Sequence, residues 1–390
     1  PRSRGLGDVY KRQILLDMLR LREWQTEALN AWIQSRYRGI VVAPTGTGKS
    51  YVGLAAIRQM GYPSLVVVPT ERLLKTWDRR IRKILRVPPS PFYGKEKRLG
   101  WITISIYNTM ARNLWLLKHF RLVILDEIHH SAARTWIKIV ESLDGQPVLG
   151  LTATIERLDN GHLKILEKIP IVYNFTLSEA MNTHQIAECE VIDESVPLTM
   201  AEYSEYARID QMLRKLRARA SHGLESMNPD LEARFYSLIQ RRKAILAEAI
   251  LKLPKLLEIV QKHLDERILV FSESIKSIEE AKRYLIKHGI ACETYHSKKS
   301  ENERDRIFQA WGNGYKVLLA CRALDEGIDV PEAKIGIILA TGQTKRQLIQ
   351  RLGRLLRPNK DKKAKIYIIS ARATLEQNTA PKIKQLTATT

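Results

Sequence analysis

The most constraining feature of the chain is the segment Ala-Pro-Thr-Gly-Thr-Gly-Lys-Ser at residues 43–50, which follows an apolar run and precedes a helical pattern. This order predicts a strand, a loop and a helix. The glycines let the loop curl so that successive N–H groups and the helix N-terminus face one anion, and the helix dipole favours phosphate. The lysine then reaches the outer phosphates, and the hydroxyl after it serves Mg²⁺. We predict a site for a nucleoside triphosphate and Mg²⁺ made by Thr45, Gly46, Thr47, Gly48, Lys49 and Ser50. The alternative is an ordinary turn before a helix.

The chain is strongly basic, with a formal net charge of +22 and a pI near 9.9. This balance favours a polyanionic partner, and nucleic acid is the predicted one, with a merely solubilising surface as the alternative. No apolar run reaches the roughly 18 residues of a membrane span, so we predict no membrane contact and a cytoplasmic location. The three cysteines lie far apart without C-x-x-C spacing, which argues against a disulfide framework and against zinc.

Two series of apolar runs alternate with helical patterns, which is typical of βαβ units and parallel sheets. The runs lie at 40–42, 64–68, 101–105, 122–125 and 148–151, and again at 268–271, 316–320, 335–339 and 365–369. The pattern predicts an α/β fold with two tandem domains at 14–183 and 184–372. Long helical patterns rich in Arg and Lys at residues 199–253 predict a basic helical arm near the start of the second domain. We expect residues 1–13 to be non-native or disordered, and 373–390 to be a frayed tail.

The apolar run that starts at Leu122 ends in two carboxylates, Asp126 and Glu127. Parallel sheets present their ligands at the carboxyl ends of strands, so Asp126 is predicted to hold Mg²⁺ and Glu127 to orient and deprotonate the attacking water. A plain helix N-cap is the alternative for this acidic pair. His129 and His130 follow, but adjacent side chains point apart and no third ligand is evident, so we predict no zinc site.

At this point the sequence resembles the DExH branch of the superfamily 2 helicases, which tolerate Ala43 where a P-loop usually begins with glycine. The resemblance implies two RecA-like domains, with ATP in the cleft between them. It implies that Arg22 and Gln25 contact the adenine. It implies catalytic roles for Lys49, Asp126, Glu127, His129, Gln350, Arg354 and Arg357, and further nucleotide contacts for Gly327 and Asp329. Arg354 and Arg357 are three residues apart, so on a helix they share one face and can reach the phosphates together. The alternative is a solvated basic face.

The same resemblance extends to motifs that contact nucleic acid or couple the two domains. Nucleic-acid contacts are implied for Thr70, Arg72, Asn108, Thr109 and Ser272. Coupling of hydrolysis to domain movement is implied for Thr152, Ala153 and Thr154.

Within this superfamily, the chain is most similar to the XPB family, particularly in Asp126–Ala133 and in residues 324–333 and 349–358. The likeness covers nearly all of residues 20–372. It implies 3′-to-5′ movement on DNA in repair or transcription, and a nuclease or repair partner. The Arg-Glu-Asp element that this family uses in duplex opening reads Arg157-Leu158-Asp159 here. The absence of the central acid argues against strand opening by this element, while its flanking residues Arg157 and Asp159 are implied to couple hydrolysis to movement together with Thr152, Ala153 and Thr154.

The arm carries basic residues on both predicted helices, and we expect Arg214, Lys215 and Arg217 to grip DNA. The alternative is a solvated helix pair packed on the second domain. The predicted function is an ATP-dependent DNA helicase or translocase. The rivals are an RNA helicase, a phage-type or restriction-type motor that moves on duplex DNA without separating strands, and a non-enzymatic DNA clamp with a relic nucleotide site.

Overall fold

The computed structural model of the chain describes residues 20–133, 135–155, 161–185, 189–219, 229–321, 333–339 and 364–387. These residues form two sheets with helices packed against them. The predicted α/β fold with parallel sheets in two domains is confirmed. The domain limits at 14–183 and 184–372 stay a prediction, and residues 1–13 lie outside the described ranges.

The first sheet has eight strands in the order β4-β3-β5-β2-β6-β7-β1-β8, and only the β3–β4 pair is antiparallel. The strands are β1 Arg38–Val42, β2 Ser64–Val68, β3 Ser90–Tyr93, β4 Glu96–Lys97, β5 Ile102–Ile106, β6 Leu122–Asp126, β7 Val148–Thr152 and β8 Ile171–Asn174. Neighbouring strand residues such as Ile40 and Val41 belong to separate buried clusters, because successive side chains point to opposite faces. Both faces of this sheet are therefore covered.

The helices of this half connect the parallel strands. They are α1 Glu23–Gln34, α2 Lys49–Met60, α3 Glu71–Arg80, α4 Tyr107–Ala111, α5 Ile137–Glu141, α6 His162–Lys168 and α7 Leu177–Asn182. Helix α3 continues directly into a π-helical turn at Ile81–Leu85. Short 3₁₀ segments lie at Leu114–His119 and Ile128–Ala132.

The second sheet has six parallel strands in the order β11-β12-β10-β13-β14-β9. The strands are β9 Cys189–Val196, β10 Ile268–Ser272, β11 Cys292–Tyr295, β12 Val317–Cys321, β13 Ile335–Ile338 and β14 Ala364–Ala371. The helices of this half are α8 Met200–Arg219, α9 Pro229–Ala247, α10 Lys252–Gln261, α11 Ile275–Lys287, α12 Glu301–Ala310 and α13 Thr379–Thr387. Over the described ranges, no helix is long and apolar enough to cross a membrane.

Helices α8 and α9 form the arm and pack against each other through a small apolar cluster. Its buried members are Ile209, Leu213, Leu216 and Phe235. Beside the cluster, Arg242 pairs with Asp210 at 2.5 Å, and Arg241 Nε donates to Glu205 Oε1 at 2.7 Å. Pro229 begins α9, a position at which its missing N–H costs nothing. The arm is thus a hairpin whose helices are joined by both apolar packing and ion pairs.

The end of the chain corrects the sequence analysis, which expected a frayed tail from residue 373. A 3₁₀ turn at Leu375–Asn378 leads instead into α13. Ala380 and Ile383 are buried, and the helix packs against α7 of the first half and β9 of the second. The prediction failed because a short stripe of two apolar residues, i and i+3, is hard to see in a Thr-rich segment.

Candidate functional site

The predicted phosphate-binding segment lies at the carboxyl end of β1, between Val42 and the start of α2 at Lys49. Gly46 and Gly48 adopt φ values of 91° and 95°, in the left-handed region that glycine enters without steric cost. A Cβ at Gly48 would lie 2.8 Å from Gln25 Nε2. The predicted strand, loop and helix are confirmed, and Gly48 also permits the close approach of Gln25.

Gln25 and Arg22, at the start of α1, hold the loop by its backbone carbonyls. Gln25 Nε2 donates to the oxygens of Thr47 and Gly48 at 3.3 and 3.2 Å. Arg22 Nη1 donates to the Thr47 oxygen at 3.3 Å, and Arg22 N donates to Gln25 Oε1 at 2.9 Å, which fixes the orientation of the amide. The two residues are therefore beside the phosphate loop, and their contact with adenine stays a prediction.

The side chain of Lys49 is nearly buried and folds over the same loop. Its Nζ donates to the carbonyl oxygens of Ala43 and Pro44 at 2.8 and 3.3 Å, and Thr47 Oγ1 donates to the Pro44 oxygen at 2.8 Å. Thr45 Oγ1 is buried without a hydrogen-bond partner among the described residues. A nearly buried ammonium group beside a glycine-rich loop at a helix N-terminus is a charge distribution suited to a phosphate.

The two predicted magnesium ligands, Ser50 and Asp126, are only 7% and 8% exposed. Arg80 donates a hydrogen bond to Ser50 Oγ, and Trp77 Nε1 donates to Asp126 Oδ2 at 2.7 Å. Burial raises the pKa of Asp126, while the Trp77 hydrogen bond and the charges of Lys49 and Arg80 act in the opposite direction. Hydroxyl and carboxylate oxygens are the hard donors that Mg²⁺ prefers. The residues present therefore fit that ion.

Glu127 stands next to Asp126 in a left-handed conformation, with φ 49° and ψ 50°. Such a backbone costs a residue with a Cβ about 1–2 kcal/mol, and strain of this kind clusters at functional sites. Glu127 Oε2 lies 3.4 Å from His129 Nδ1, which lies 2.9 Å from Thr152 Oγ1. The Thr152 hydroxyl donates to the Thr154 oxygen at 2.7 Å, so it accepts from His129. The acid after β6 is thereby connected to Thr152 at the end of β7, where Ala153 and Thr154 are also buried.

A second connection reaches Asp126 from the surface. Tyr107 Oη donates to the Asp126 backbone oxygen at 3.1 Å, and its ring stacks on Trp136 with centroids 5.2 Å apart. Trp136 Nε1 donates to Oδ1 of the exposed Asn108 at 2.9 Å. Burial raises the pKa of Tyr107 well above its usual value, so the phenol keeps its proton and remains a donor. These contacts join one predicted nucleic-acid residue to the predicted metal ligand.

The other predicted nucleic-acid residues have varied surroundings. Thr70 caps α3 by accepting from Leu73 N at 3.3 Å, and Thr109 is partly exposed. Arg72 is partly exposed and reaches the second half of the chain, where its Nη1 donates to Tyr295 Oη at 3.3 Å. Ser272 is fully buried and accepts from Ser274 N at 3.3 Å. We correct the prediction for Ser272, because its hydroxyl shapes a loop and is not available at the surface.

On the arm, all three predicted DNA-gripping residues are exposed. Arg214 Nε donates to Asp210 Oδ2 at 2.9 Å, and Arg217 lies over the Phe235 ring at 5.7 Å. Exposed positions leave these charges accessible to a phosphate backbone.

Several predicted site residues lie outside the described residues. They are Arg157, Asp159, Gly327, Asp329, Gln350, Arg354 and Arg357. Their roles stay predictions from the sequence motifs.

Sequence reasoning missed Trp77 and Arg80, which contact both predicted magnesium ligands from α3. One signal was present: Leu74, Trp77 and Arg80 follow at i, i+3 and i+6, the spacing that places side chains on one face of a helix. Leu74 and Trp77 are buried on that face. The sequence could not indicate that this face of α3 lies against Asp126, because Trp77 and Asp126 are 49 positions apart in the chain.

Family models match both halves of the chain. Residues 18–157 match the family model "Type III restriction enzyme, res subunit", and residues 250–359 match "Helicase conserved C-terminal domain". The chain is 35% identical to the DNA 3'-5' translocase XPB2 of Sulfurisphaera tokodaii, over 93% of this chain and 84% of that protein. It is 25% identical to the DNA 3'-5' helicase XPB of Mycobacterium tuberculosis, over 87% of this chain and 58% of that protein.

Among solved structures, the helicase domain of Pyrococcus furiosus Hef is similar in fold, with a TM-score of 0.58 at 17% identity. The alignment covers 93% of this chain and 98% of that one. At this identity the likeness concerns the fold alone. The family models and the similarity to XPB2 along almost the whole chain show that the chain belongs to the XPB-type superfamily 2 helicases, which are ATP-dependent enzymes acting on DNA.

Proposed function

We propose that the chain hydrolyses Mg²⁺–ATP at the carboxyl edge of its first sheet and uses the energy to move along duplex DNA with 3′-to-5′ polarity. One observation carries this proposal. Lys49 and Ser50 begin α2 after the loop that follows β1, and Asp126, Glu127 and Thr152 lie at the ends of β6 and β7. The three strands are consecutive in one sheet. Contacts of His129 connect Glu127 to Thr152, and the positive charge of Lys49 acts on Asp126.

Each residue has a chemical role in this proposal. Lys49 and the loop N–H groups bind the phosphates, and Gln25 and Arg22 contact the adenine. Ser50 and Asp126 would hold Mg²⁺, which when bound neutralises charge on the phosphate oxygens. Glu127 takes the proton of the attacking water, since a carboxylate is the available base at this edge. His129 orients Glu127 through the 3.4 Å contact.

The second half of the chain completes the nucleotide site in this proposal. The motif order assigns Gly327 and Asp329 to the nucleotide, and Gln350, Arg354 and Arg357 to the γ-phosphate. An arginine supplied from a second domain stabilises charge that develops during phosphoryl transfer. ATP would therefore be hydrolysed when the two domains close around it.

DNA is the proposed track. Thr70, Arg72, Asn108, Thr109 and the arm residues Arg214, Lys215 and Arg217 supply backbone contacts, while Thr152, Ala153 and Thr154 couple hydrolysis to movement. The polarity is carried over from the two relatives, a DNA 3'-5' translocase and a DNA 3'-5' helicase. An enzyme that moves along chromosomal DNA works inside the cell, so we propose a cytoplasmic location. We also propose a nuclease or a repair protein as its partner.

A motor that moves on duplex DNA without separating strands is the second candidate. Leu158 stands between Arg157 and Asp159, where the XPB family has an acid, and the 35% identical relative is named a translocase. Such a motor would need the same ATP site and the same grip on DNA. The two candidates therefore differ only in the product, which is a separated or an intact duplex.

An ATPase assay with single-stranded DNA, duplex DNA, forked DNA or RNA as separate stimulants tests the substrate class. Strand displacement on 3′-tailed and 5′-tailed duplexes, and displacement of a third strand from a triplex, separate the two motor types. We expect stimulation by duplex or forked DNA, and triplex displacement in the 3′-to-5′ direction. Stimulation by RNA alone would indicate an RNA helicase, and absence of ATP turnover under every condition would refute the motor.

A further inference from the structure

Helix α3 contacts both predicted magnesium ligands from one face. Trp77 Nε1 donates to Asp126 Oδ2 at 2.7 Å, and one turn later the Arg80 guanidinium donates to Ser50 Oγ. Trp77 is buried at 1% exposure, and Gly53 of α2 makes room for it, since a Cβ there would lie 2.7 Å from Trp77 Cη2. The position of this helix face against the site is therefore fixed by packing, and Arg80 is held at the metal ligands.

The charge of Arg80 acts on the predicted metal site, because Arg80 forms no ion pair with a carboxylate of the described residues. Among the described residues, no carboxylate lies within ion-pair distance of Arg80, and its charge stabilises ionised Asp126 together with that of Lys49. Its neighbours on the helix differ: Arg79 is exposed, and Arg82 pairs with Asp78 at 2.8 Å. Arg80 alone of these three arginines faces the predicted metal ligands.

A guanidinium and a divalent cation make incompatible demands on these ligands. Mg²⁺ requires oxygen lone pairs in a near-octahedral shell at about 2.0–2.1 Å. The hydrogen bond from Arg80 occupies Ser50 Oγ, and its positive charge repels a cation placed between Ser50 and Asp126. Binding of the metal therefore competes with the Arg80 contact and favours movement of the guanidinium away from Ser50.

We propose that Arg80 is an internal cation that holds Ser50 and Asp126 when nucleotide is absent and is displaced by Mg²⁺–ATP. Arg80 thereby sets how much Mg²⁺ the site needs. This proposal rests on the proposed function, because it assumes that Ser50 and Asp126 receive the metal of a bound nucleotide.

The backbone beside Arg80 allows such a displacement. Helix α3 ends at Arg80, and the chain continues through the π-helical turn Ile81–Leu85 to Arg86, which has a φ of 57°. A π-helical turn is wider than an α-helical one and occurs frequently at functional sites. Trp77 lies on the regular part of the helix and remains anchored while the residue at its end moves.

The test measures how nucleotide binding depends on Mg²⁺. A fluorescent ATP analogue, mant-ATP, is titrated into the full chain over a series of Mg²⁺ concentrations, without DNA. The variants are Arg80→Ala, which removes charge and contact, Arg80→Gln, which keeps a donor without the charge, and Arg80→Lys, which keeps the charge. Arg79→Ala is the matched control, because it removes an exposed arginine from the same helix. The shift in melting temperature caused by Mg²⁺ alone is a second readout.

We expect Arg80→Ala and Arg80→Gln to reach half-maximal binding at a Mg²⁺ concentration about three- to tenfold lower than the parent chain, and to gain a larger melting shift from Mg²⁺. Arg80→Lys should lie between them and the parent, and Arg79→Ala should match the parent. An unchanged or raised Mg²⁺ midpoint in Arg80→Gln, with normal Mg²⁺-dependent binding by the parent, overturns the role of Arg80 and leaves the proposed function standing. A parent chain that binds no mant-ATP at any Mg²⁺ concentration overturns both.

Discussion

His129 Nδ1 lies 2.9 Å from Thr152 Oγ1, and this contact joins the acid-bearing loop after β6 to the end of β7. The backbone oxygen of Thr152 accepts a hydrogen bond from Ala43 N at 3.0 Å, at the start of the phosphate loop. Thr152 therefore contacts both parts of the proposed ATP site: its side chain contacts His129, and its backbone contacts Ala43. A residue in this position can transmit the state of Glu127 to the segment that follows β7.

Thr152→Val tests this link, because valine keeps the shape of threonine and the backbone contact with Ala43 but removes the hydroxyl. The substitution removes a buried hydrogen bond of His129, which costs about 0.5–1.5 kcal/mol. We expect DNA-stimulated ATP turnover to fall about tenfold while mant-ATP affinity stays within about twofold. Thr152→Ser restores the hydroxyl and should restore turnover. Equal turnover by the Val and Ser variants would show that the hydroxyl has no part in coupling.

Glu127→Gln and Lys49→Ala separate the chemical step from binding. The amide keeps the shape of Glu127 but cannot take a proton, so turnover should fall by about 10²–10⁴-fold with ATP affinity retained. Lys49→Ala removes the ammonium that now bonds the Ala43 oxygen, and it should weaken ATP binding itself. Nucleotide titrations and single-turnover hydrolysis measure the two effects. The same loss of affinity in both variants would contradict the assignment of separate roles.

Gly48→Ala should destabilise the phosphate loop for two reasons. Its φ of 95° costs a residue with a Cβ about 1–2 kcal/mol, and the new Cβ would lie 2.8 Å from Gln25 Nε2. Gly61→Ala is the matched control at the other end of α2, where φ is 59° and nothing lies within 4 Å. Urea unfolding should therefore show a larger loss for Gly48→Ala than for Gly61→Ala.

Gln25→Ala provides the second part of that test. If the close approach of Gln25 causes the extra loss, adding Gln25→Ala to Gly48→Ala should recover part of the free energy of unfolding in a double-mutant cycle. Strict additivity of the two changes would show that backbone strain alone accounts for the loss.

Much of the fold could be predicted because apolar runs reveal buried parallel strands directly. The run at 64–68 coincides with β2, and the run at 122–125 lacks only Asp126 of β6. Among the missed strands, β3 and β9 mix polar and apolar residues, as Ser-Pro-Phe-Tyr and Cys189–Val196 show; β9 is an edge strand of the second sheet, and β3 is followed only by the two-residue edge strand β4. An edge strand has a neighbouring strand on one side only and is more exposed to solvent. Its apolar sequence pattern is therefore weaker.

The candidate site was predictable where its residues are adjacent in sequence and much less so where they meet through the fold. The loop from Thr45 to Ser50 is one continuous segment with a local conformational requirement, so its motif carried the prediction. Arg80 meets Ser50 only because α3 packs beside α2, and Tyr107 meets Asp126 only because β5 and β6 both lie next to β2. Such contacts depend on sheet order, which no local pattern encodes.

The arm offers the clearest test of how the chain grips DNA. Lys215 and Arg217 are exposed on α8, and the Arg214 side chain is 82% exposed although it pairs with Asp210. Each phosphate that a basic residue neutralises releases counterions and steepens the salt dependence of binding. Replacing all three with Ala should lower DNA affinity and flatten the slope of log K against log salt. We expect a change of up to about two units, because Asp210 already offsets part of the charge of Arg214.

Arg241→Ala is the control variant with which the triple variant is compared. Arg241 is also an exposed arginine of the hairpin, but its Nε donates to Glu205 at 2.7 Å, so little of its charge is available to phosphate. Alanine is the best helix former, so neither variant should melt α8 or α9, and circular dichroism checks this. ATP turnover without DNA should be unchanged in both, since neither variant alters a residue of the proposed nucleotide site. If the triple variant keeps the salt slope of the parent chain, the hairpin is a structural element, and the basic grip on DNA lies in the two sheet domains.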